Sequence, residues 1–326
     1  MTQPSSARSL LLPLTPLYRL ALSLRELRLS CGLEPVRRLR FPVVSIGSLS
    51  AGGSGKTPLT IALAKALTRR GISVDVLSRG YGRKRKTVLR VDPNGTAEDF
   101  GDEPLLIARE ADVPVYVAAQ RYQAGLMAEA NVFTPEARPI HLLDDGFQHR
   151  QLHRDVNILL LDDRDMQDDL LPAGNLREPL SALHRANVIA IPADSPELEA
   201  KLKASNWQGQ ISRLRRRMEV PLTDGPFVAF CGIARSDQFF AGLESAGLHL
   251  ASRISFADHH AYNVHDLDCI KDAALSTGAT TIITTEKDRV RLGKLSEFLP
   301  LKTATLHVEI ENEGEAIAGL LERLGS

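Results

Sequence analysis

The segment Ser50-Ala51-Gly52-Gly53-Ser54-Gly55-Lys56-Thr57 constrains the fold more than any other stretch of this 326-residue chain. An apolar, β-branched run at 41–46 precedes it, and a helical pattern at 56–70 follows. A strand, a glycine-rich turn and a helix in that order form a phosphate loop. Small residues let backbone N–H groups face phosphate oxygens, a lysine reaches the β- and γ-phosphates, and a hydroxyl faces Mg²⁺. Gly52, Gly53, Ser54, Gly55, Lys56 and Thr57 are therefore the candidate nucleotide-binding residues, with Thr57 also a metal candidate. Ser50 replaces the usual first glycine without removing any part of that mechanism, and Pro58 is tolerated in the first helical turn. Ala51 stands where partitioning-type ATPases carry a lysine, which argues for a plain nucleotide-binding kinase or hydrolase. The alternative is a glycine-rich turn that merely caps a helix.

Further strand-like runs at 72–77, 113–118, 140–144, 156–161 and 188–191 alternate with helix-compatible stretches. Such alternation implies an α/β fold, a P-loop NTPase-like parallel sheet with helices on both faces. Over 206–223 the pattern fades into Arg213, Arg215, Arg216 and Arg217, and a boundary is expected there. Strand-like runs at 227–233, 248–256, 280–285 and 306–310 predict a second, smaller α/β domain. The expected division is an N-terminal helical segment at 1–40, a P-loop kinase domain at 41–220 and the smaller domain at 221–326.

Forty Lys+Arg balance forty Asp+Glu, so a uniform polyanion binder is excluded. The charge is nonetheless segregated: residues 1–40 hold seven arginines against two glutamates, and 79–90 hold six basic residues and no acid. Leu17, Leu20, Leu24 and Leu27 recur at helical spacing, which predicts an amphipathic N-terminal helix. It either packs on the domain core or lies in a membrane interface, leucines among acyl chains and arginines near anionic headgroups. The apolar stretch at 10–24 is interrupted by proline and Arg19 and is too short to span a bilayer. With sixteen aromatic residues in the chain, stacking on nucleic acid is not expected. Three distant cysteines make neither a disulfide framework nor a cysteine-based zinc site, and they indicate a reducing compartment.

Asp144 and Asp145 end the 140–144 strand, where a P-loop enzyme places a carboxylate that supports Mg²⁺; a simple Asp-Gly turn is the alternative. Gly101-Asp102-Glu103-Pro104 can supply a base, or only a helix start. Asp258-His259-His260 can supply a histidine that backs that base, whereas metal binding by so short a cluster is weak. Arg79-Gly80-Tyr81-Gly82-Arg83 is a glycine-hinged basic loop suited to a phosphorylated substrate. The stretches 171–179 and 284–288 lie beside strands, where α/β proteins bind ligands.

Taken in order, Ser50 to Pro58, Arg79 to Arg83, Gly101 to Pro104, Leu143 to Arg150, Leu171 to Pro179, Asp258 to His260 and Thr284 to Asp288 resemble the tetraacyldisaccharide 4′-kinase family of lipid A biosynthesis. The resemblance covers about residues 10–292. It implies transfer of the ATP γ-phosphoryl group to the 4′-hydroxyl of an acylated glucosamine disaccharide 1-phosphate, at the cytoplasmic face of the bacterial inner membrane. By the same resemblance, Asp102 is the base paired with His259, His260 competing for that place. Thr57, Asp144 and Gln148 form the metal environment. Arg79, Tyr81, Arg83, Arg121, Asp145, His149, Arg177 and Glu178 position substrate or nucleotide. ATP and Mg²⁺ are the implied cofactors, the lipid acceptor and the membrane surface the implied partners, and no obligate protein partner is evident. A membrane-recruited P-loop switch or scaffold ATPase is the competing functional class.

Overall fold

The computed structural model describes residues 10–132, 138–221 and 225–325. Val43–Ser48 (β1) is buried along its whole length and leads through the glycine-rich loop into Lys56–Thr68 (α2), as the pattern predicts. Before it lies Thr15–Ser30 (α1). Then come Val74–Ser78 (β2), Leu89–Arg90 (β3), Ala97–Phe100 (α3), Asp102–Ala111 (α4), Val115–Val117 (β4), Arg121–Ala130 (α5), Ile140–Asp144 (β5), Val156–Leu160 (β6), Val188–Pro192 (β7), Pro196–Ala204 (α6) and Gln210–Glu219 (β8). The chain continues through Phe227–Cys231 (β9), Ser236–Ser245 (α7), Leu250–Ser255 (β10), Val264–Thr277 (α8), Thr281–Thr285 (β11), Glu286–Leu292 (α9), Leu301–Ile310 (β12) and Glu313–Leu324 (α10).

The strands join one twelve-stranded sheet in the order β10-β9-β11-β12-β8-β7-β6-β1-β5-β2-β4-β3. Nearly all pairs are parallel; β12 with β8 and β3 with β4 are antiparallel. Parallel strands need covered faces, and both are supplied. Leu59, Leu63 and Leu67 of α2 pack with Val44, Ile46, Val76 and Leu142 on one side. Leu49, Phe147, Leu159, Ile189 and Ile191 pack with Leu198 and Trp207 on the other. Each such side chain taken fully out of water contributes about 1.5–3 kcal/mol. Because β5 and β6 flank β1 on opposite sides, the carboxyl ends of these three strands open a crevice in front of the glycine-rich loop.

Two expectations change here. The arginine-rich stretch at 213–217, which reads as a fading pattern, lies inside a ten-residue strand: β8 pairs with β7 on one side and β12 on the other. The sheet therefore runs on through the expected boundary, and β12 begins at Leu301 instead of residue 306. A polar strand of this kind is held by backbone pairing on both edges, so its side chains carry little apolar signal. Second, α1 forms where its leucines predict, but it docks through its other face. Leu17, Leu20, Leu24 and Leu27 are 52–64% exposed, whereas Tyr18 and Leu22 pack against the core. Tyr18 donates to the Arg177 carbonyl at 2.9 Å, and Arg25 and Glu26 pair with the Gln148 carbonyl and Arg150. Among the described residues no helix is long and apolar enough to cross a membrane.

Candidate active site

The phosphate loop is built by glycines in left-handed conformations, among them Gly53 at φ 61° and Gly55 at φ 88°, which ordinary side chains rarely adopt. Gly55 caps α2, so the positive end of the helix and its free N–H groups face the loop. Lys56 is 9% exposed, and its Nζ donates to Ser48 Oγ at 3.3 Å and Ser54 Oγ at 3.2 Å. It also stands 3.5 Å from Asp145 Oδ1.

The two adjacent aspartates differ. Asp144 lies beside Ile46 in the β1–β5 ladder and accepts from Thr60 Oγ1 (3.3 Å) and Ser78 Oγ (3.4 Å). Burial, then the nearby Glu103 and Asp145 carboxylates, push its carboxyl up to about 7, against the pull of Lys287 and Lys56. Asp145 is held at φ 48°, and its buried Oδ1 has no hydrogen-bond partner among the described residues. Burial opposes its charge, but Lys56, Arg177 and Arg121 outweigh burial and bring it down to about 2. Arg177 fastens this corner, donating to Asp145 Oδ2 (3.0 Å), the Ser50 carbonyl (3.2 Å) and Gln148 Oε1 (3.3 Å). Gln148 in turn donates to the Ser48 carbonyl at 3.0 Å, so both ends of its amide are engaged.

Asp102 opens α4 after Gly101 and is 5% exposed. Its Oδ2 lies 3.3 Å from His259 Nδ1 and accepts from Arg291 Nε at 2.7 Å. Burial would raise its pKa, but the His259 hydrogen bond, Arg291 and Lys287 hold the carboxyl far below the usual range. The Asp102 hydrogen bond raises the His259 imidazole in return, against burial. His260 does not compete: it stacks on Phe256 and pairs with Asp266 at 2.9 Å. The left-handed backbone of His259, φ 58°, separates the two rings.

A cluster of basic groups surrounds His149. The His149 ring is pushed down to about 3 by burial and then by Arg121, Arg154, Arg25 and Arg79. Burial and Arg79 bring Arg121 down to about 10, against Asp145 and Asp144, and its Nε is buried without a hydrogen-bond partner among the described residues. Tyr81 is exposed, and its ring lies 5.1 Å from that of His259. Arg83 sits apart from this group, and Glu178 lies at its edge, near enough to Arg154 to favour its charge. Arg83 is 2% exposed and ties its own loop together through the carbonyls of Thr87 (2.7 Å) and Lys86 (3.3 Å). Glu178 pairs with Arg185 in the groove beneath α1.

Some groups escape sequence reasoning, Arg291 and Arg216 among them, while Asp288 and Lys287 belong to the 284–288 stretch it singles out. Arg291 joins Asp102 to the buried Asp288, which also accepts from Tyr262 at 2.9 Å and from the Gly232 N–H at 3.1 Å. The one local signal is the i,i+3 spacing of Asp288 and Arg291 on α9. Lys287 pairs with Glu103 at 2.6 Å, and Arg216 donates to the Ser54 carbonyl at 3.0 Å. Lys56, Thr57, Glu103, His259 and Lys287 line one cleft of ≈ 380 Å³, which the apolar Met218, Ile233, Phe239 and Leu306 also line.

The tetraacyldisaccharide-1-P 4′-kinase family matches the chain over residues 7–325. The tetraacyldisaccharide 4′-kinase of Koribacter versatilis is 38% identical over 318 residues, covering 95% of this chain and 97% of its own. That of Aquifex aeolicus is 36% identical over 330 residues, covering 97% and 99%. A crystal structure of LpxK from Aquifex aeolicus in complex with ATP superposes with a TM-score of 0.75 at 32% identity, covering 98% of this chain and 99% of that one.

Proposed function

From a chain that belongs to the tetraacyldisaccharide-1-P 4′-kinase family, with Lys56 and His259, the neighbour of Asp102, on one cleft, we infer how its residues carry out phosphoryl transfer. The activity is ATP-dependent phosphorylation of the 4′-hydroxyl of a tetraacyl glucosamine disaccharide 1-phosphate, giving lipid IVA in lipid A biosynthesis. ATP phosphates rest on the loop amides and Lys56, and the base lies against the apolar residues of the cleft. Asp145 Oδ1, which has no hydrogen bond and only the Lys56 ammonium near it, together with Thr57, Asp144 and Gln148, would suit Mg²⁺, which would neutralise phosphate charge. Asp102 accepts the proton of the acceptor hydroxyl, and His259, fixed on Asp102, orients that hydroxyl. A carboxylate held low by Arg291 is a weak base, so its main effect is positional, as suits a loose transition state. Arg79, Arg121 and His149 face the acceptor's 1-phosphate, with Arg25 and Arg154 behind them.

The placement of His259 on the P-loop cleft with Asp102 3.3 Å behind it carries this reading. Asp102→Ala is expected to cut phosphoryl transfer at least ~100-fold while ADP binding, by calorimetry, stays within about twofold. Near-normal turnover would remove the base assignment.

The exposed leucine ridge of α1 and its arginines support a place at the cytoplasmic face of the bacterial inner membrane, where a four-chain lipid resides. Leu20→Glu with Leu24→Glu is expected to abolish flotation with anionic vesicles without lowering the melting temperature. Unchanged flotation would assign membrane contact to another surface.

A further inference from the structure

One residue beside the phosphate loop has no part in the mechanism above. Arg235 comes from the turn between β9 and α7 and lays its stem on Gly53: a Cβ there would stand 2.5 Å from Arg235 Cγ and 2.8 Å from Cδ. Ala234 does the same at Gly52, where a Cβ would stand 2.9 Å from its own. The 234–235 turn thus closes over the two loop glycines and lines the cleft. The Arg235 guanidinium is neutralised by Asp162, just past β6, at 2.5 Å, both side chains being 14% exposed. Asp162 Oδ1 in turn accepts from the backbone N–H groups of Arg164 (3.0 Å) and Asp165 (3.3 Å), so the carboxylate stays put whether or not Arg235 remains on it. A guanidinium has five donors, and Asp162 uses Nη1. The Arg235 Nε lies beside the loop, 3.0 Å from where a Gly53 Cβ would stand.

We propose that Arg235 is an arginine finger supplied in cis, donating to the transferring γ-phosphoryl group, with Asp162 as the carboxylate that holds it before nucleotide arrives. The inference rests on the kinase reading. In the step it assists, the bond from the 4′-oxygen to the γ-phosphorus forms. The bond from that phosphorus to the β–γ bridging oxygen breaks, its electron pair leaving on ADP, and the hydroxyl proton passes to Asp102. Arg235 exchanges no atoms; it neutralises the charge that spreads over the equatorial and bridging oxygens. Lys56 is fixed within the loop itself, whereas Arg235 belongs to the facing half of the cleft. Its contribution therefore depends on how that half closes on the nucleotide.

The test uses the full chain and wild-type lipid turnover as its reference. R235A is expected to lower kcat at least ~100-fold, in line with the ~10³–10⁵ that such arginines supply, with KM for ATP and ADP affinity within about threefold. Binding of ADP with aluminium fluoride, a planar phosphoryl mimic, is expected to be lost. R235K keeps the charge but not the fork, and is expected to remain at least ~10-fold down. The exchange R235D with D162R re-forms the ion pair, so it is expected to restore the melting temperature and leave kcat low. Recovery of kcat by the exchange, near-normal kcat in R235K, or loss of ADP and ADP–aluminium fluoride affinity in equal measure would each overturn the proposal, leaving a structural pair. The fluoride complex needs no lipid, so it judges Arg235 even if wild-type protein fails to label the acceptor, a failure that would strike the kinase reading instead.

Discussion

His141 and Asp144 lie three residues apart on β5, both essentially inaccessible, and the two ends of that strand treat a buried charge in opposite ways. At the amino end, His141 Nδ1 is 2.7 Å from Asp75 and Nε2 is 3.6 Å from Glu129. Glu129 also accepts from the Phe41 N–H at 3.1 Å and the Arg40 N–H, clasping the segment that enters β1. Burial alone would lower the His141 pKa, but the two carboxylates carry it up to about 9. At the carboxyl end, Asp144 has like charges for neighbours, and Asp145 keeps a strained backbone and an oxygen without a hydrogen bond. A buried charge surrounded by opposite charge and backbone donors acts as a rivet. At the other end Asp144 is buried among like charges, and Asp145, though paired with Lys56 and Arg177, keeps an oxygen without a hydrogen bond, so this corner is completed by something from outside the chain.

The contrast breaks most visibly at Asp145. Asp145→Asn is expected to lower kcat at least ~100-fold and to raise the Mg²⁺ concentration at half-maximal rate, with some loss of melting temperature because the Lys56 and Arg177 ion pairs go, while the left-handed backbone is tolerated by asparagine. A rate within fivefold of wild type would make this end structural too. His141→Gln gives the complementary, smaller effect: kcat within about twofold, with a stability loss of roughly 1–3 kcal/mol at pH 6 in denaturant titrations. The folded His141 pKa lies above its ordinary value of 6.5. The stability it adds is therefore complete below pH 6.5 and is lost as pH rises through about 9. In the glutamine variant that slope is expected to vanish; its persistence would place the titration elsewhere.

The residues show how much of this the sequence discloses. The loop at 50–57, its strand, its helix and β5 are legible because apolar periodicity and glycine chemistry are local. β8 is not, because four arginines break its apolar pattern while its backbone pairs on both sides. The helix at 15–30 is legible, but its docking face is not, since Tyr18, Arg25 and Glu26 find partners more than a hundred residues away. Asp102 and His259 reach the site through motif order, whereas Arg291, 189 residues from Asp102, has only its i,i+3 spacing from Asp288 to point to it. The choice of His259 over His260 depends on one backbone dihedral.

The central claim, that this cleft transfers phosphate to a lipid and does not merely hydrolyse ATP, is tested most directly by the fate of the label. Incubation of the full chain with [γ-³²P]ATP, Mg²⁺ and total bacterial lipid is predicted to yield a labelled glycolipid that carries the phosphate at the 4′-oxygen. Release of free phosphate alone, with no label in lipid, would contradict the account and favour a switch or scaffold ATPase.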